Sequence, residues 1–211
     1  MPVIGGPILE PPQAIIFDVG RVIINVNIAL SFETYGQRDH LSAENVWQVL
    51  QADQRWDDWQ EGRMLPRDFH QHICKKFGLS LTFEEFVASW NRVLDPETLL
   101  PEALFERLSK TCRLALLSNT DPLHVAHFEA TFAFVRHFPV RVYSCRVGTS
   151  KPKPMIYHHA LRELAALPEE TLYIDDLREN VDTALQLGMS GFHFTSPKEL
   201  LDEFSRLGLW G

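Results

Sequence analysis

Ala14-Ile15-Ile16-Phe17 is a compact apolar run without alternation, and Asp18-Val19-Gly20 ends it. A strand of that kind is covered on both faces, as in a parallel sheet. Comparable runs recur at Leu114-Ala115-Leu116-Leu117, Val140-Arg141-Val142-Tyr143, Thr171-Leu172-Tyr173-Ile174 and Gly191-Phe192-His193-Phe194. Helical patterns separate them. Pro122 to about Phe134 follows the N-cap signal Thr120-Asp121, and Pro154 to about Ala166 has another proline start. Glu179 to Leu187 stops at Gly188, a C-cap residue, and Pro197 to about Leu207 closes the chain. This alternation predicts an α/β fold with a doubly wound, Rossmann-like parallel sheet. Ile8 to Pro12 reads as a short extended leader.

Residues 28–100 break the alternation. Glu44 to Leu50, Phe69 to Phe77 and Phe83 to Leu94 carry helical patterns, and convincing strand alternation is missing. An ordinary crossover needs far fewer than these roughly 70 residues, so they read as an inserted all-helical cap. The core is then expected from residues 13–27 and 101–211. Trp47, Trp56, Trp59 and Trp90 fall in the insert and are expected to form its own core.

Lys plus Arg number 20 against 28 Asp plus Glu, a formal charge of −8. Such a field repels nucleic acid and anionic membrane, so neither is an expected partner. No apolar run approaches the ~20 residues that cross a bilayer. The start lacks the basic region of a signal peptide, and the three scattered cysteines form no CxxC pair. A reduced, cytoplasmic setting is therefore expected.

Three strands end in polar residues: Phe17 in Asp18, Leu117 in Ser118-Asn119-Thr120, and Ile174 in Asp175-Asp176. Parallel strands share one C-terminal edge, where ligands bind. Three carboxylates gathered there repel one another and call for a hard cation such as Mg²⁺. The helix starting at Pro122 is expected to offer free N–H groups to an anion. Singly, each element has an ordinary explanation: a turn Asp, a helix cap, a solvated Lys151-Pro152-Lys153-Pro154 loop. Their conjunction, each just beyond a strand or before a helix, outweighs those explanations. The pairs His70 and His72, His124 and His127, and His158 and His159 lack a matching second pair, so surface or half-buried roles are expected for them.

That conjunction resembles the haloacid dehalogenase-like hydrolase superfamily, whose members are mostly Mg²⁺-dependent phosphatases. Phe17-Asp18-Val19-Gly20, Leu116-Leu117-Ser118-Asn119-Thr120, Gly148 to Tyr157 and Tyr173 to Val181 are similar to its four motifs. Trp59-Gln60-Glu61-Gly62-Arg63 and Phe83-Glu84-Glu85-Phe86 resemble its helical cap, and the branch most resembled contains bacterial α-D-glucose-1-phosphate phosphatase. The resemblance implies a phosphomonoester hydrolase of a small phosphorylated metabolite, with sugar phosphates among the candidates. It implies Asp18 as nucleophile forming an aspartyl-phosphate, Ser118 and the Asn119 N–H holding the phosphoryl group, and Lys151 balancing charge. Asp18, Asp175, Asp176 and the Gly20 carbonyl would surround Mg²⁺, with Asp176 the firmer direct ligand.

Gly20 stands where most phosphatases of the superfamily place a second Asp as general acid, and Arg21 departs from the usual Gly or Asn. Arg21 grips an anionic substrate or obstructs the site, and Trp56 is a candidate for lining the substrate. Two alternatives stay open: a catalytically silent binding or regulatory protein, and a metal-independent haloacid dehalogenase.

Overall fold

The computed structural model describes residues 3–4, 10–28, 30–31 and 43–211. Eight strands are present among them: β1 (Val3–Ile4), β2 (Ala14–Phe17), β3 (Ile24–Val26), β4 (Leu94–Thr98), β5 (Arg113–Ser118), β6 (Val140–Tyr143), β7 (Thr171–Asp175) and β8 (Ser190–His193). The main sheet runs β1-β8-β7-β2-β5-β6. Its five strands β8, β7, β2, β5 and β6 are parallel, as expected, and β1 adds antiparallel to β8.

Non-alternating sequence becomes two buried faces in β2. Ile15 and Phe17 join Leu114, Leu116, Leu172 and Ile174 on one face, covered by helices 102–108, 122–131 and 197–206. Ala14 and Ile16 join Ala115, Leu117 and Tyr173 on the other, under helices 154–164 and 178–186. Phe17 meets Phe105, Phe138 and Phe204 with tilted or edge-on rings at 5.6–6.3 Å. All four β2 side chains are fully buried. A doubly wound sheet follows from that pattern.

Between β3 and β4 lie helices 43–51, 56–60, 66–77 and 83–91. They share a separate apolar cluster of Val46, Leu50, Trp59, Phe69, Ile73, Phe86 and Trp90, with Trp56 packed against it. Trp59 stacks on Phe69 with ring centroids 4.2 Å apart. Thr82 and Glu85 form a reciprocal capping box at the start of helix 83–91. Strand is nonetheless present where the sequence pattern suggested only helix: Leu94–Thr98 pairs antiparallel with Ile24–Val26. Helix 83–91 accordingly stops three residues short of the expected Leu94. Helix 102–108 and β1 are further elements without a clear sequence pattern. Of the expected leader, residues 8 and 9 lie outside the described residues.

Among the described residues no helix is long and apolar enough to cross a membrane. Cys74, Cys112 and Cys145 are all free thiols.

The insert touches the sheet layer tightly at Gly62. Its φ is +72°, and an added Cβ would sit 2.0 Å from the Cys145 carbonyl oxygen. Gly62→Ala is therefore expected to destabilise the protein by about 2–4 kcal/mol, combining left-handed strain with a backbone clash. Urea unfolding checks this, and a parental midpoint would show that the contact yields freely.

Candidate active site

Register alone gathers the first groups. Phe17 pairs with Leu116 of β5 and Ile174 of β7, so Asp18, Ser118 and Asp175 arrive at one sheet edge. The Asp18 N–H donates to the Ile174 carbonyl at 2.9 Å, which continues the ladder to the carboxylate itself. From the loop after residues 144–147, Lys151 reaches in: its Nζ lies 2.7 Å from Asp18 Oδ1 and 2.8 Å from Asp175 Oδ2. Asn119 clasps that loop by accepting the Lys151 N–H at 2.8 Å and donating Nδ2 to the Lys151 carbonyl at 2.9 Å. The Asn119 side chain thus positions the lysine, a task its place in the motif did not reveal.

One ammonium faces several carboxylates, and the energetics show it. Burial pushes the Asp18 carboxyl up to about 7, with Asp175 and Asp176 adding to the shift and Lys151 opposing it. Asp176 is also raised, by burial and then by Asp175, while Lys151 and the Arg21 guanidinium work against the shift. Burial disfavours the charged Lys151, but the two carboxylates overcome it and raise its pKa. Oxygens of Asp18, Asp175 and Asp176 all lie within 4.8 Å of one another. Among the described residues this is the one cluster with metal-ligand spacing. Such a hard-oxygen set with excess negative charge fits Mg²⁺.

The two acidic neighbours differ. Asp175 is fully buried, and both of its oxygens are engaged. Oδ2 accepts from Lys151 and Tyr173, and Oδ1 accepts from the Leu177 N–H at 2.8 Å and Asn180 Nδ2 at 3.0 Å. Asp176 is half-buried and borders the open pocket.

That pocket has a volume of about 370 Å³. Every site residue expected from the sequence borders it (Asp18, Gly20, Arg21, Trp56, Ser118, Asn119, Lys151, Asp176) except Asp175, which lies beneath. Arg21 is exposed with φ +60°, and its N–H donates to the Ile24 carbonyl at 2.7 Å. The free N–H groups expected at helix 122–131 are not free. Asp121 Oδ1 accepts from Leu123 N at 2.9 Å and His124 N at 3.0 Å, so the chain's own carboxylate occupies that anion position.

None of the histidines falls in the cluster with metal-ligand spacing found among the described residues. His70 meets the Leu81 carbonyl, His72 pairs with Asp53 at 2.8 Å, and His159 meets Arg162. His124 is different. Its Nδ1 lies 2.8 Å from Asp121 Oδ2, and its Nε2 lies 3.0 Å from the Trp90 carbonyl oxygen. Both partners are acceptors, so the ring serves both only when doubly protonated. Trp90 Nε1 donates to the same carboxylate at 3.1 Å, and the two rings stack 5.4 Å apart. This joins the insert to the sheet layer. The Asp121-to-His124 spacing is visible in sequence; Trp90, on another element, is not.

Burial opposes charge on His124, yet Asp121 and the Trp90 carbonyl hold its pKa above the ordinary 6.5. Burial likewise opposes charge on Asp121, and His124 with the other donors holds it below 3.8. A raised histidine stabilises below 6.5 and loses that contribution as pH rises through its folded value. A depressed carboxyl stabilises above 3.8 and loses it as pH falls through its folded value. His124→Gln is thus expected to lower the melting point most between pH 3.8 and 6.5, with the gap narrowing at higher pH. The facing groups His127 and Cys145 are expected to change the size of the gap and not its sign. Melting curves of both proteins across pH check this, and a gap independent of pH would rule out the ion pair.

A family model described as haloacid dehalogenase-like hydrolase matches residues 12–188. D-ribitol-5-phosphate phosphatase from Bacteroides thetaiotaomicron is 23% identical, over 84% of this chain and 89% of its own. A sesquiterpene phosphatase from Aspergillus oryzae is 24% identical, over 87% of this chain and 90% of its own. The crystal structure of a HAD family enzyme from Bacteroides thetaiotaomicron, in complex with magnesium and inorganic phosphate, superposes with a TM-score of 0.76. It is 24% identical and covers 88% of this chain and 95% of that one.

Proposed function

The chain belongs to the haloacid dehalogenase-like hydrolases, and from that premise we propose that it is a Mg²⁺-dependent phosphomonoester hydrolase of a small phosphorylated metabolite, working through an aspartyl-phosphate. The observation that carries this is the Asp18 carboxylate, held 2.7 Å from Lys151 at the pocket floor within reach of Asp175 and Asp176.

Asp18 and Asp176, with the Gly20 carbonyl, would hold the ion directly. Asp175, its oxygens already engaged by four donors, would support the site by fixing Lys151. When bound, the ion supplies positive charge to the carboxylates and to a phosphoryl oxygen. One Asp18 oxygen attacks phosphorus, the P–O bond to the alcohol breaks, and an acyl phosphate forms. Ser118 and the Asn119 N–H receive the phosphoryl oxygens, while Lys151 balances the charge gathered on Asp18. Water then cleaves the acyl phosphate and restores the carboxylate. With Gly20 in place of a general acid, and His124 bonded through both nitrogens, the departing alkoxide takes its proton from solvent.

Phosphate release with and without Mg²⁺ tests the reading, and the metal is read separately by melting curves. Asp176→Ala removes a ligand and also a repulsive charge. Its apo form is expected to melt at or above the parent, while Mg²⁺ raises the parent's melting point more than the variant's. Equal metal-induced shifts in both would exclude the acidic pair as the site.

A further inference from the structure

We propose that the alcohol half of the substrate is apolar, a monophosphate of an isoprenoid or arylalkyl alcohol and not of a sugar. This rests on the phosphatase reading and names its substrate class. Beyond the carboxylates and the Ser118–Thr120 turn, the pocket wall is built from three indoles: Trp47, Trp56 and Trp90. Trp56 is the middle ring, 5.3 Å from Trp47 and 6.3 Å from Trp90. Behind it stands Phe69, in the apolar cluster of the insert. Val26, Ile28 and Leu94 also line the pocket.

Polar side chains border this wall, but several are spent on one another. Asp121 accepts from Leu123 N, His124 N and Trp90 Nε1, and pairs with His124 Nδ1. His124 spends its second nitrogen on the Trp90 carbonyl. Asn180 donates to Asp175. Among the described residues the Gln51 and Gln60 amides, the Thr120 hydroxyl, the Asn180 side-chain oxygen, the Trp47 and Trp56 indole N–H groups and the exposed Arg21 guanidinium are what remain for a leaving group. A sugar or polyol brings several hydroxyls into the chamber, each costly to bury without a partner. An indole face can stack on a sugar ring, but the hydroxyl edges still need donors and acceptors. An apolar alcohol needs none and gains from covering the three rings. The relatives do not decide the point, since the ribitol-phosphate and sesquiterpene enzymes are 23% and 24% identical. The wall does.

The test uses the purified full chain with Mg²⁺. Substrates are geranyl phosphate, 3-phenylpropyl phosphate, ribitol 5-phosphate, glucose 1-phosphate and, as a reference with almost no leaving-group body, acetyl phosphate. The expected result is kcat/KM at least about tenfold higher for the two apolar esters than for the two polyol esters. Equal or reversed values, with acetyl phosphate turned over, overturn the proposal and leave the phosphatase reading standing. No release even from acetyl phosphate overturns that reading instead. The chamber is then read without turnover, by calorimetric titration with geraniol and with ribitol. Heat for geraniol alone supports it; heat for ribitol alone, or for neither, overturns it.

Trp56→Ala is expected to cut the apolar-to-polyol ratio about tenfold. Should that variant melt far below the parent, Val26→Asn brings a polar group to the same chamber from β3, outside the insert's apolar cluster. It is expected to lower the ratio in the same direction. A ratio unmoved by a folded variant overturns the assignment of the wall.

Discussion

Asp18→Asn is expected to lower phosphate release by at least ~10⁴-fold, the order seen when a nucleophile that acts as part of a unit is removed. An amide oxygen is a poor nucleophile and a poor partner for a divalent cation, so two tasks fail with one atom changed. Shape is kept, and the backbone N–H that continues the β2 ladder to Ile174 is untouched. The folded state therefore survives, and circular dichroism with a melting curve separates lost chemistry from lost fold. Loss of the Lys151 bond to Asp18 is expected to be offset first by no longer burying a charge there, and then by relief from repulsion by Asp175 and Asp176. Turnover within tenfold of the parent, at matched purity, would remove Asp18 from the nucleophile's role.

Lys151→Met has the largest expected effect on stability. The ammonium side chain is 2% exposed and sits between two carboxylates that have no other close cation among the described residues. Methionine matches the apolar stem up to the missing ammonium but leaves those charges buried and unpaired, a change that costs about 3–5 kcal/mol. For a domain of this size each kcal/mol moves the melting point by ~2–4 °C, so the apo protein is expected to melt roughly 6–20 °C lower. Because the carboxylates remain, Mg²⁺ is expected to recover more melting temperature in the variant than in the parent. Activity is expected to fall as well, since the charge on the attacked phosphoryl group loses its fixed partner. An apo variant that melts with the parent would show that the lysine does not neutralise the cluster.

The readable parts of this molecule are those whose pattern is local. Four-residue apolar runs with no alternation translate directly into β2, β5 and β7, because both faces are covered. The polar residue ending each run then falls at one edge by topology, which is why Asp18, Ser118, Asp175 and Asp176 could be named together. Strand β4 was not readable, since Asp95-Pro96-Glu97 at its centre is mostly exposed and holds a proline. It exists because Leu94 and Thr98 meet Val26 and Ile24, a pairing about 70 residues apart in sequence. Roles that depend on who else arrives were hidden in the same way. Tyr173 and Asn180 saturate Asp175 only once β7 and helix 178–186 are formed. Asp121 was readable as a helix cap, but that its carboxylate also receives Trp90 and His124 needed the insert in place. Glu61 is another case. It is buried against Ser150 at 2.7 Å and Lys153 at 2.5 Å, which ties the insert to the loop carrying Lys151.

The β3–β4 ribbon has a consequence for how such a chain diversifies. Both ends of the helical segment leave the sheet layer at one point, where the Leu99 N–H donates to the Ile23 carbonyl at 2.8 Å. Closing a longer or shorter segment across ends already pinned together changes the loop entropy only slowly, about 0.6 kcal/mol for each doubling of length. Changes of length within the segment are thus expected to leave the register of the strands carrying Asp18, Ser118 and Asp175 in place. The freedom to change length stops at the residues that dock the segment, since Glu61 bonds Ser150 and Lys153, and Trp90 bonds Asp121.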